Sequence, residues 1–121
     1  PESFWELQAL QFVSFYQNKL NTLPESFPQL IHLQTLDLSC NQLSALPQGF
    51  EGLKELVTLV LIKNQLSALP EGFGNLQALQ ELSLQNNKLK ALPNSFGQLT
   101  KLKRLINGIL VKIIRFKKFS S

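Results

Sequence analysis

The chain of 121 residues has no methionine and only one cysteine, one histidine, one tryptophan and one tyrosine. A single cysteine, Cys40, excludes an intramolecular disulfide, so no covalent staple holds the fold. A single histidine, His32, leaves a zinc site without the set of nitrogen and sulfur ligands it needs. No stretch approaches the roughly 20 consecutive apolar residues of a membrane span. No Asn-x-Ser/Thr glycosylation acceptor occurs. The glycines make no G-x-x-x-x-G-K-[ST] phosphate loop, and the acids make no D-x-D calcium loop. No nucleophile, base and acid stand together in a catalytic pattern. No cofactor, no metal and no enzymatic activity are expected.

Acidic residues are absent beyond Glu81, and this makes the net charge of +4 a misleading average. Residues 1–100 carry five lysines and all eight acids, a net charge of −3. Residues 101–121 carry seven Lys or Arg and no acid, a net charge of +7. The body of the chain is mildly acidic and its end is basic.

What the chain does contain is a period of 23 residues. Leu-Pro recurs at Leu23-Pro24, Leu46-Pro47, Leu69-Pro70 and Leu92-Pro93, and asparagine recurs at Asn18, Asn41, Asn64 and Asn87. The aligned copies read L-P-x-[SG]-F-x-x-L-x-x-L-x-x-L-x-L-x-x-N-x-L. Units starting at Pro24, Pro47 and Pro70 fit at every position: the third has Phe50, Leu53, Leu56, Leu59, Leu61, Asn64 and Leu66. The first is looser, with Val13 and Phe15 in the leucine columns. The last begins well at Pro93, Phe96, Leu99, Leu102 and Leu105, then fails at Asn107, where leucine is expected, and at Leu110, where asparagine is expected. A fixed period of this length predicts a solenoid, whose units bury their apolar faces only against one another. The Leu36–Leu38 alternation is that of a strand, with Thr35, Asp37 and Ser39 on the opposite side. Leu33, Leu43 and Phe27 then complete the interior from the turns. The asparagine predicts a side chain that satisfies turn backbone, and Leu-Pro-x-x-Phe predicts an extended or irregular return.

This pattern resembles the leucine-rich repeat family over about residues 1–106, with 107–121 left as a basic apolar cap or tail. The resemblance implies an α/β right-handed solenoid of about five coils, with a parallel concave sheet and irregular or short-helical convex turns. The 23-residue cysteine-poor repeat is similar to those of bacterial surface and effector proteins, and also to intracellular Ras-scaffold and plant Ras-group repeats. The cysteine-stapled caps of animal extracellular relatives are ruled out by the single Cys40. A cytosolic or a bacterial protein fits these absences.

The ends raise separate expectations. Pro1 aligns with Pro24, so the chain begins inside a repeat, either after a removed upstream part or as a bare cap. Phe4, Trp5, Phe12 and Phe15 cluster in a first coil whose ladder edge is open, which predicts self-association there. At the other end, residues 109–116 are apolar with basic interruptions and suit a terminal cap. Lys112, Arg115, Lys117 and Lys118 also have the composition for an acidic membrane surface. Their weak amphipathicity argues against it, and no nucleic-acid partner is expected.

Chemistry therefore concentrates on three exposed columns of the sheet. The first is Phe12, Thr35, Thr58, Glu81 and Arg104. The second is Ser14, Asp37, Val60, Ser83 and Ile106. The third is Tyr16, Ser39, Ile62, Gln85 and Gly108. The repeat does not dictate these identities, so a protein partner can. Phe12 and Tyr16 either form an aromatic anchor or pack on the end of the first coil. Val60 and Ile62 give a central apolar spot, and Glu81 with Arg104 an expected surface ion pair of small energetic worth. His32 is expected on a solvated convex turn, and Cys40 as a small bland residue unless Lys63 activates it. The resemblance then implies non-catalytic protein binding by the concave face. It suggests a bacterial secreted or surface protein that engages a host-cell surface receptor. The alternative is a cytoplasmic scaffold for a small GTPase, or the recognition part of a larger effector.

Overall fold

Leu-x-Leu segments at a fixed spacing stack into a ladder. In the computed structural model, which describes residues 10–106, five short strands form one parallel sheet in chain order. They are β1 (Phe12–Ser14), β2 (Thr35–Asp37), β3 (Thr58–Val60), β4 (Glu81–Ser83) and β5 (Arg104–Ile106). The register is the sequence period itself: Phe12 pairs with Thr35, Leu36 with Leu59, and Leu82 with Leu105. Each 23-residue unit is thus one coil, counted here from Pro1, Pro24, Pro47, Pro70 and Pro93. No helix among the described residues is long and apolar enough to cross a membrane.

The core is a set of leucine columns. Leu36, Leu59 and Leu82 from the strands meet Leu38, Leu61 and Leu84, and Leu33, Leu56 and Leu79 from the turns, all essentially inaccessible to solvent. Burying a leucine side chain contributes about 1.5–3 kcal/mol, and a coil obtains this only between neighbours. The first coil has Val13 buried, with Leu10, Phe15 and Leu20 only partly covered.

On the convex side the chain returns through short 3-10 helices, Phe27–Gln29, Phe50–Gly52, Glu71–Asn75 and Asn94–Gln98. The proline of each Leu-Pro pair accounts for the absence of regular α-helix, since it lacks an N–H donor and biases its predecessor to extended backbone. Phe27, Phe50, Phe73 and Phe96 of the units from Pro24 onward turn inward. Phe50 stacks on Phe73 with ring centroids 6.5 Å apart and planes 6° apart, and Phe73 on Phe96 at 6.2 Å and 3°. Centroid separations of about 4.5–7 Å suit offset stacking of ring quadrupoles.

The asparagine expectation is met in detail. Asn64 Nδ2 donates to the carbonyl oxygens of Leu38 (2.9 Å) and Leu61 (3.1 Å), while Oδ1 accepts the Leu43 N–H at 3.1 Å. Asn87 repeats this one coil on, with Leu61, Leu84 and Leu66. Asn41 adds Phe15 and Leu38 as acceptors and the N–H groups of Asn18 and Leu20 as donors. A buried turn would otherwise strand these groups unpaired.

The expected tail over 107–121, the off-register Asn107, Gly108 in the third column, and Phe4 and Trp5 with the self-association expected of them lie outside the described residues.

Candidate concave interface

The first two columns cross the sheet with one residue per strand, and the third, Tyr16, Ser39, Ile62 and Gln85, lies two residues past the strand ends. Phe12 is 65% exposed and Tyr16 is 53% exposed. Both rings are therefore largely open to solvent. Thr35, Asp37, Thr58, Val60, Ile62, Glu81, Ser83 and Gln85 are half-buried between neighbouring columns, while Ser14, Arg104 and Ile106 are exposed.

Ser39 departs from the expectation. It is 5% exposed, so it is not a contact residue as the structure stands. Its small side chain stands between the larger Tyr16 and Ile62 of the flanking coils. Its N–H is also tied back to Asp37 Oδ1 at 3.0 Å. The Ser39 hydroxyl and Gln85 Oε1 are buried without a hydrogen-bond partner among the described residues. Both sit in the third column, one coil to either side of Ile62.

The face alternates. Coils 1 and 3 present apolar groups, Phe12 and Tyr16, then Val60 and Ile62; coils 2 and 4 present Thr35 and Asp37, then Glu81 and Ser83. Adjacent strands lie about 4.8 Å apart, so the apolar rows recur at about 9.6 Å. Aromatic and aliphatic anchors separated by polar groups make a surface that desolvates locally while staying soluble.

Around Glu81 the polar groups are linked. Thr58 Oγ1 donates to Glu81 Oε1 at 3.1 Å, and Arg104 Nη1 lies 3.8 Å from Glu81 Oε2. The second distance exceeds a hydrogen bond, so this exposed pair contributes little to stability, as expected.

The strands end in an unusual backbone column. Gln17, Cys40, Lys63 and Asn86 all hold positive φ, between 59° and 63°. The left-handed region disfavours a Cβ, and only Asn86 among these four is a residue type that enters it readily. Sequence reasoning missed this column; four non-glycine residues directly before the asparagine gave no compositional cue.

His32 is on the convex turn, as expected, with Nδ1 3.0 Å from Glu55 Oε2 and both side chains about half exposed. Among the described residues no three His, Cys, Asp or Glu side chains are grouped to hold a metal ion.

A family model described as "Leucine rich repeat" matches residues 17–66 and 55–106. Among solved structures, a leucine-rich-repeat protein of Leptospira interrogans superposes with a TM-score of 0.86 at 43% sequence identity. The match covers 88% of this chain but only 28% of that protein. No curated protein matches the chain.

Proposed function

Because the chain belongs to the leucine-rich-repeat family, whose domains generally bind protein partners, we propose that it is a non-catalytic binding module whose contact surface is the concave sheet. The observation that carries this reading is the exposure of Phe12 and Tyr16 beside the Val60–Ile62 pair, on a face whose identities the repeat leaves free. Aromatic anchors in a polar surround concentrate binding energy. The partner we propose is a host-cell surface protein, with this chain at the surface of a bacterium or secreted by it. The lone Cys40 and the bacterial origin of the similar solved protein support that setting. The chain spans only 28% of that protein, so partners of a longer whole are included in the proposal.

Capture from a host-cell surface extract tests the assignment. Tyr16→Ala and Ile62→Lys are expected to abolish capture with an unchanged circular-dichroism spectrum. Glu71→Lys and Gln98→Lys, on the exposed convex side, are expected to leave it intact. Capture that is lost with the convex changes and kept with the concave ones would move the site.

A further inference from the structure

At the C-terminal half of the concave face, a shallow depression of about 200 Å³ crosses β4. Its lining is Val60 on one side and Ile106 on the other, with Leu82 and Ser83 below and Thr58, Glu81 and Arg104 along the rim. Small Ser83 leaves the room: its column neighbours Val60 and Ile106 are both larger. An apolar cavity of about 150 Å³ holds a benzene ring, so this depression has space for one leucine or phenylalanine side chain. Its walls are apolar and its rim is not.

The rim has a sign. One Glu81 oxygen is occupied by Thr58, and the other is 3.8 Å from Arg104. Arg104 is therefore loosely balanced, and its side chain is 68% exposed. Lys103, immediately before it, is exposed as well. Two cations against one partly engaged carboxylate leave a positive margin beside an apolar hollow. A guanidinium offers paired N–H donors in the geometry of a carboxylate.

We propose that this depression receives one bulky apolar side chain from an acidic segment of the protein partner, with Arg104 clasping a carboxylate next to that side chain. This rests on the concave-face reading and specifies the chemistry of the partner. The apolar group displaces water from Val60 and Ile106, and the neighbouring acid fixes its orientation.

The test titrates the isotope-labelled full chain with a capped pentapeptide carrying one leucine between two pairs of glutamates, followed by amide chemical shifts. Saturable shifts at Leu82, Ser83 and Ile106 are expected at millimolar peptide. Exchanging leucine for serine, or the glutamates for lysines, is expected to weaken binding by about tenfold or more, as is Arg104→Glu in the protein. Ser83→Phe, which fills the hollow from an outward-facing position, is expected to remove the shifts while the remaining spectrum stays dispersed. Equal binding of the leucine and serine peptides, equal binding of the lysine peptide, shifts confined to other residues, or no shifts at all would each overturn the proposal. Host-protein capture lost in Tyr16→Ala but kept in Ser83→Phe would overturn it while leaving the concave-face reading in place.

Discussion

The backbone N–H of Gly74 donates to the Ser95 hydroxyl at 2.9 Å, and that hydroxyl donates in turn to the carbonyl oxygen of Glu71. One serine thereby ties the convex turn of coil 4 to that of coil 5. The approach is so close that a Cβ on Gly74 would collide with the backbone carbonyl of Ser95.

Gly74→Ala is therefore expected to destabilise the fold by about 1–3 kcal/mol, since the obstacle is backbone and cannot swing away. Gly97, in the same column one coil later, has nothing among the described residues within 4 Å of the position that an added methyl group would take. Gly97→Ala is expected to be neutral or to stabilise by about 0.5 kcal/mol through the unfolded chain. Urea midpoints of the two variants decide it; equal losses would contradict the close approach.

Asn64→Ala is expected to cost about 1–3 kcal/mol, because it strands the Leu43 N–H in a buried turn and takes from the Leu38 carbonyl one of its two donors, Asn41 being the other. Asn18→Ala is expected to cost much less, since among the described residues the Asn18 side chain makes only an exposed bond to the Tyr16 carbonyl at 3.3 Å. Chemical denaturation of both variants gives the comparison, and similar losses would contradict the ladder.

Leu59→Ala is expected to destabilise by about 2–5 kcal/mol, by opening a cavity between Leu36 and Leu82 at the centre of the stack. A loss under about 0.5 kcal/mol in urea would mean that the site collapses freely, at odds with a close-packed leucine column.

Lys63→Asn is expected to raise stability by about 0.5–1 kcal/mol. Lys63 holds φ at 59° while its side chain is exposed, so the exchange relieves backbone conformation without losing a packed group. Thermal unfolding measures it; a lowered midpoint would show that lysine makes a compensating contact.

The sheet, its register and the leucine core are legible in the sequence because they repeat at 23, the separation at which Leu36 meets Leu59. Other contacts between coils fall at other separations and vanish from such an alignment. Gly74 meets Ser95, and Gly72 meets the Glu51 carboxylate, both 21 residues apart. The concave columns are legible as positions but not as exposures. Ser39 belongs to an open column, yet its own accessibility depends on the sizes of Tyr16 and Ile62 beside it. The left-handed column is hidden for a different reason: the backbone demands it at Cys40 and Lys63, and the side chains there do not announce it. The depression over Ser83 needs three coils at once, since it is the shortness of one residue between Val60 and Ile106.

The asparagine ladder is vectorial. Asn64 of coil 3 reaches back to Leu43 and Leu38 of coil 2, and Asn87 of coil 4 reaches back to Leu66 and Leu61 of coil 3. Coils 1, 2 and 3 are each finished by their successor, through Asn41, Asn64 and Asn87. Damage is therefore inherited backwards along the chain: a broken coil 4 unseals the turn of coil 3, whereas a broken coil 2 leaves Asn64 still bonded to its own Leu61. The two directions along the ladder are unequal for unfolding, and a fray advancing from the C-terminal side removes the seals of coils 3, 2 and 1 in turn, each before it reaches that coil.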